Sequence, residues 1–221
     1  MILDPITGKT GKAITDNQTE ITKVKLSLTS GSSIFLITSD RINAQKWDYY
    51  KPSKNSYKII GDWDFKLIKG GPDTEFSKKT NLLTSWTQWG KKMEAFSGTA
   101  QYEIKFNRPT EHKGAWLLKL GDVRESAKIW LNDKFIGTLW SNPYQLNIKS
   151  LKKGKNTLRI QVTNLGSNRI KAKEARGEEW KLFYDINMVG LDYKSFDASN
   201  LDILDSGLLE NPVLIPIQVI K

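Results

Sequence analysis

Cysteine is absent from the 221 residues and histidine occurs once, at His112. The first absence excludes disulfides, thiolate metal sites and a cysteine nucleophile. The second excludes a histidine-rich metal cage and any mechanism that needs two imidazoles. Uninterrupted apolar runs reach only a few residues, far short of the roughly 20 that span a bilayer as a helix, so no membrane partner is expected. The opening residues Met-Ile-Leu-Asp-Pro offer no basic stretch followed by an apolar one. They carry no visible export signal, and an exported parent would hold its signal upstream. Long helical periodicity, internal repeats and low-complexity segments are also missing.

Charge of one sign is in excess: 34 Lys and Arg against 24 Asp and Glu give a net +10. Such a balance raises nucleic acid as a partner, but its distribution argues against it. The cations are mostly lysines, scattered singly or in pairs (Lys78-Lys79, Lys91-Lys92, Lys152-Lys153) on predicted turns and outward strand faces. A solvated surface accounts for them, and no nucleic-acid partner is expected.

Short alternating segments separated by Gly, Asn, Ser and Lys turns predict an all-β chain, an antiparallel sandwich of jelly-roll type. In residues 101–106 (QYEIKF), Tyr102, Ile104 and Phe106 share one face, as do Trp116, Leu118 and Leu120 in 116–120. Residues 127–131 (AKIWL) turn Ala127, Ile129 and Leu131 inward and Trp130 outward, and 157–163 (TLRIQVT) alternate Leu158, Ile160 and Val162 with polar residues. Asn132-Asp133 between two such runs predicts a tight hairpin, because both residues tolerate a left-handed backbone. Residues 22–28 and 33–38 are expected to pair as a further hairpin, 41–58 to serve as a polar connection, and 69–80 to be a loop. Pro216 within 212–220 predicts an edge position or a bulge. The division expected is a partial β segment, hairpin and linker over 1–58, followed by one sandwich domain over 59–221.

The run from Leu120 to Gly137, then Leu139-Trp140-Ser141-Asn142-Pro143-Tyr144, is similar to the galactose-binding-like jelly roll of glycoside hydrolases. The hairpin and the following Lys-Lys-Gly-Lys-Asn-Thr-Leu (152–158) resemble the sugar-binding domain of family 2 enzymes. Residues 96–102 (FSGTAQY), 164–170 (NLGSNRI), 196–199 (FDAS) and 206–209 (SGLL) together resemble the C-terminal region of family 106 glycoside hydrolases, the α-L-rhamnosidase class. Residues 4–9 (DPITGK) and 33–35 (SIF) resemble the stretch that precedes it. Asn132-Asp133 stands where Asn-Gly is usual, and Glu210-Asn211 interrupts the expected tail pattern. The resemblance implies a non-catalytic accessory domain, since the family's catalytic carboxylates lie in an upstream barrel. It also implies a parent that is secreted or periplasmic. No cofactor is implied; structural calcium is common in such jelly rolls, but no dense Asp/Asn loop marks a site here.

Glycoside hydrolysis needs two carboxylates at a defined separation. The candidate sets are Asp62/Asp64, Asp122/Glu125 and Glu174/Glu178/Glu179, and for the second an ion pair with Arg124 is the simpler account. His112 sits in a predicted exposed turn. No catalytic residue and no metal ligand is assigned. Sugar binding needs an aromatic face for the C–H side of the ring and planar polar groups for its hydroxyls. Trp63, Trp86 and Trp116 are expected in the core. Trp130, Trp140 and Tyr144 fall outside the core pattern and are the platform candidates, with Asp122, Arg124, Asn164, Asn168 and Arg169 as polar partners. The same residues suit either a carbohydrate, such as a plant-type or rhamnose-containing glycan, or an interface with the parent's catalytic barrel. A free-standing carbohydrate-binding module is the alternative reading.

Overall fold

The computed structural model describes residues 1–16, 21–38, 44–182 and 189–220. Among the described residues, five two-residue strands come first: β1 (Ile2–Leu3), β2 (Thr10–Gly11), β3 (Thr15–Asp16), β4 (Lys23–Val24) and β5 (Phe35–Leu36). Then come β6 (Tyr49–Pro52), β7 (Tyr57–Lys58), β8 (Trp63–Gly71), β9 (Ser77–Thr80) and, after a short turn of helix at Trp86–Trp89 and α1 (Lys91–Glu94), β10 (Ser97–Asn107). The series continues with β11 (Trp116–Lys119), β12 (Val123–Arg124), β13 (Ser126–Leu131), β14 (Lys134–Leu139), β15 (Gln145–Ile148) and β16 (Lys155–Thr163). Helix α2 (Ser167–Ala175), β17 (Gly207–Leu208) and β18 (Val213–Ile220) complete it.

Two sheets make the sandwich. One runs β14-β13-β16-β10-β8-β9 and the other β15-β11-β18-β6, with β7 also on β18; all these pairings are antiparallel. The alternation read from the sequence produces continuous rows across the first sheet: Ile129, Ile160, Tyr102 and Phe65 in one, Ala127, Val162, Ala100 and Leu67 in the next. Every member is buried, and Trp63, Trp86, Trp116, Leu118 and Leu120 close the core with no accessible surface. Slipping any strand by one residue would exchange these apolar rows for Gln101, Glu103, Arg159 and Gln161, so the core fixes the register.

The Asn132-Asp133 turn forms as expected, with φ of 51° and 64°. Asn132 Oδ1 accepts from Thr157 N (3.0 Å), and its amide donates to Oδ1 of the buried Asn156 (2.9 Å). That second asparagine also accepts from Lys152 N and donates to the Lys152 and Gly154 carbonyls. One polar knot thus holds two turns at the same end of the sheet.

Several local expectations are corrected. Residues 22–28 and 33–38 do not pair with each other: β4 pairs with β3 and β5 with β1. Alternation specifies which face is apolar but not which neighbour supplies the hydrogen bonds. The polar stretch 41–58 holds β6 and β7, which both pair with β18. The expected loop 69–80 ends in β9, which lies along β8. Pro216 sits in a central strand rather than at an edge, because its missing N–H falls at the gap where β18 changes partner from β7 to β6. His112 is half-buried, its ring edge-on to Trp116 (centroids 5.1 Å apart) and Nε2 3.0 Å from the Ala115 carbonyl.

The first five strands surround a small second core of Ile2, Ala13 and Tyr49, with Val24, Ile34, Trp47 and Ile220 against it. Leu28, Phe35 and Leu36 remain 49–58% exposed there.

Candidate functional site

Antiparallel pairing decides which sequence-predicted residues can meet. Gly71 faces Ser97, Thr99 faces Thr163, Ser126 faces Thr163 and Ala127 faces Leu139. One end of the six-stranded sheet therefore carries the loops that hold Asp122, Arg124, Trp140, Tyr144 and Asn164, and the start of α2 with Asn168 and Arg169. Trp130 is the exception. It belongs to the row of Arg159, Glu103 and Asp64 on the outer sheet face, several residues nearer the other end.

Trp130 is also not an open platform. The Arg159 guanidinium lies 5.3 Å from its ring centroid and Phe135 packs edge-on at 5.5 Å. Arg159 is held there by Asp133 at 3.4 Å and Glu103 at 4.0 Å. Trp140, by contrast, is 57% exposed, immediately after the buried Leu139 that ends β14. Its loop is anchored at the far side by Tyr144, whose hydroxyl donates to the Glu125 carbonyl (2.6 Å) and whose own carbonyl accepts from Leu120 N (2.9 Å). Partial burial, reinforced by the Glu125 carboxylate, raises the Tyr144 pKa above the ordinary tyrosine value.

Beside this loop Asp122 grips Arg124 through both oxygens, Oδ1 to Nε at 2.6 Å and Oδ2 to Nη2 at 2.8 Å. The pair is partly exposed, and the hydrogen bonds that Arg124 donates to Asp122 hold the guanidinium still more firmly protonated. Glu125 and Asp205 add negative charge around it. A bidentate clamp of this kind engages only two of the five N–H donors of the partly exposed guanidinium.

Asn164, Asn168 and Arg169 are used by the chain itself. The Asn164 side chain accepts from Gly98 N (2.9 Å) and donates to the Phe96 carbonyl (3.0 Å) and Ser206 Oγ (3.0 Å). Asn168, 2% exposed, brackets Leu204 by accepting from its N–H and donating to its carbonyl. The Arg169 guanidinium packs so closely on Gly71 that a Cβ there would collide with it. The two asparagines fasten the tail and α2 to the sandwich, and Arg169 packs against the end of β8. Ser85 and Ser206, neither of which the sequence marks as a site residue, complete the same knot: Ser206 N donates to Ser85 Oγ (2.9 Å) and both are 2% exposed. Two serines in unpatterned stretches give no signal of this kind.

The carboxylate sets are each engaged with cations: Asp64 with Lys79, Asp122 with Arg124, Glu178 with Arg176 and Glu174 with Lys181. Among the described residues no group of three or more His, Asp or Glu side chains is arranged to hold a metal ion. No helix among them is long and apolar enough to cross a membrane.

Residues 87–195 match the family described as glycosyl hydrolase 2 galactose-binding domain-like. A putative beta-glucuronidase from Formosa agariphila is 36% identical over 119 residues, 51% of this chain and 10% of that protein. Among solved structures, a rhamnosidase from Novosphingobium sp. PP1Y superposes on 96% of this chain and 20% of its own with a TM-score of 0.68 at 23% identity. A Bifidobacterium dentium beta-glucuronidase complexed with coumarin-3-O-glucuronide covers 74% of this chain and 30% of its own, with a TM-score of 0.50 at 15% identity. The chain thus spans a tenth of the curated relative's length and a fifth of the rhamnosidase's. The match and the two antiparallel sheets described above agree on a galactose-binding-like β-sandwich architecture.

Proposed function

We propose that this chain is a non-catalytic accessory domain of a larger glycoside hydrolase of the α-L-rhamnosidase (family 106) type, and that the Trp140 end of the sandwich docks on the parent's catalytic barrel. The observation that carries the reading is a 57% exposed indole on a loop that hydrogen bonds hold rigid, beside the Asp122–Arg124 clamp. Rigid aromatic and arginine side chains are what interfaces use as anchors, because little rotamer entropy is lost on contact. Support also comes from the extent of the rhamnosidase superposition, which reaches 96% of this chain. In this reading residues 1–58 continue a preceding β unit of the parent, and the exposed Phe35 and Leu36 meet that unit or the barrel. Such a parent would work outside the cell or in the periplasm on a rhamnose-containing or other plant-type glycan.

The same aromatic and planar-polar mix favours a second reading, a carbohydrate-binding module that takes a sugar on Trp140. Affinity separates the two. A single exposed stacking ring binds a monosaccharide with Kd of about 0.1–1 mM, equivalent to about 4–5.5 kcal/mol. The 221-residue chain is titrated with rhamnose and galactose while tryptophan fluorescence is followed. A flat response up to tens of millimolar is the expected result. A saturable change abolished by Trp140→Ala would move the assignment to the module.

A further inference from the structure

Lysines that are scattered along the sequence are gathered by the fold at the end of the six-stranded sheet opposite Trp140. There Asn107 faces Lys155, and Leu131 faces Leu158 and Lys134. The turns at this end are tied together: the Asn132 amide donates to Asn156 Oδ1 (2.9 Å), and Arg108 N donates to the Gly154 carbonyl (2.9 Å). Lys134, Lys152, Lys153 and Lys155 therefore rise from one ordered ridge, with Lys105 on β10 and Lys113 on the loop that Arg108 opens. All six are exposed, and none pairs with a carboxylate among the described residues. Three acids share this end, and cations outside the six balance them. Asp133 is held by Arg159 and Glu111 by Arg108, while Asp62 lies on the β9 side with Lys78 and Lys79.

Between β7 and the end of β10 the surface sinks into a groove of about 300 Å³, the lower end of the range of about 300–1,000 Å³ typical of small-molecule sites. Lys58, Lys105 and Asn107 supply its polar side chains, and Ile60, Phe106 and Pro109 apolar ones. No carboxylate lines it, and Lys58, like Lys105, has no anionic partner among the described residues. Much of the net charge of +10 is thus concentrated at one end, where it attracts a polyanion. A nucleic acid calls on guanidinium forks, but Arg108 and Arg159 already hold Glu111 and Asp133. Ammonium groups beside a groove with an amide and apolar walls suit a chain of sugar rings that carries carboxylate or sulfate groups.

We propose that this end of the sandwich binds an acidic polysaccharide, with one charged residue of the glycan on Lys58 and Lys105 in the groove and its neighbours along the lysine ridge. The surface lies away from Trp140, so docking of that end on a barrel leaves it free, and its failure would leave the barrel reading untouched. The full chain is titrated calorimetrically with polygalacturonate, a sulfated galactan, a neutral galactan and single-stranded DNA. Salt is kept at about 0.15 M, where exposed charges are screened beyond about 8 Å. At least one acidic glycan is expected to bind about ten-fold more tightly than the neutral galactan and the DNA. Lys58→Gln combined with Lys105→Gln should weaken it by about ten-fold, whereas Lys66→Gln combined with Lys128→Gln, which removes the same charge from the middle of the outer sheet face, should weaken it by about two-fold at most. Which acidic glycan binds better tells carboxylate from sulfate. Equal weakening by the two double variants would reduce the effect to net charge, and DNA binding as tight as the glycan would make this a nucleic-acid surface. Either result, equal binding of the neutral galactan, or no binding of either acidic glycan would overturn the proposal.

Discussion

Replacing Asn164 by alanine separates a ligand-binding role from a structural one. Its amide joins the end of β16 to the entry of β10 and to the tail, through Gly98 N, the Phe96 carbonyl and Ser206 Oγ at 2.9, 3.0 and 3.0 Å. Alanine removes all three bonds, each with a net value of about 1 kcal/mol, and leaves half-buried backbone groups without their partner. The expected loss is about 3 kcal/mol. For a chain of this size, each kcal/mol moves Tm by about 2–4 °C, so the melt should fall by about 6–12 °C. Calorimetry or circular dichroism measures this, and amide exchange at Gly98 should quicken in parallel because Asn164 Oδ1 is its side-chain acceptor. A sugar-contacting asparagine would behave oppositely, with an unchanged melt and weaker ligand binding. A shift below about 2 °C would refute the structural assignment.

Two further perturbations test the same region. Gly207, at φ +114°, has the Tyr102 hydroxyl and the Trp86 ring where a Cβ would be; Gly207→Ala should destabilise by about 2–4 kcal/mol from strain and overpacking combined, read as a lower midpoint in urea. Burial pushes the Tyr102 phenol well above the ordinary tyrosine value, while its oxygen accepts from Leu208 N (3.2 Å). Because the folded pKa is raised, this stabilisation is complete below the unfolded tyrosine value near pH 10 and is lost as pH climbs beyond it. The loss is on the order of 1 kcal/mol per pH unit, and Tyr102→Phe should flatten the fall in stability between pH 9.5 and 11; equal slopes for the two proteins would refute the burial argument.

The sequence reveals the fold where one face of a strand decides everything. Leu158, Ile160 and Val162 alternate without a break, all are buried, and the row they start runs through β13, β10 and β8. It is much less informative where hydrogen-bond partners are chosen over long separations, as with β3 and β4, whose two-residue pairing leaves no pattern to read. Helix α2 also escapes the sequence because Ser167–Ala175 has no apolar stripe. It is held instead by Asn168 on Leu204 and Lys171 on the Leu201 carbonyl, contacts that join segments 30 or more residues apart. The candidate site divides in the same way. Trp140 is recognisable because an aromatic outside the apolar rhythm should be exposed. Asn164 and Asn168 look the same in sequence whether an amide binds a hydroxyl of a sugar or a carbonyl of its own chain.

The place of β18 bears on how the protein is made. It is the last of the described strands to leave a ribosome, yet it pairs with β11 on one side and with β7 and β6 on the other. The six-stranded sheet can assemble from Trp63 to Thr163 during synthesis. Its partner sheet cannot, since strands separated by more than 55 residues wait for one late strand to join them. Until then the inner face of the first sheet, with Ile129, Ile160 and Tyr102, stays partly uncovered, the kind of transiently exposed apolar surface through which folding intermediates aggregate.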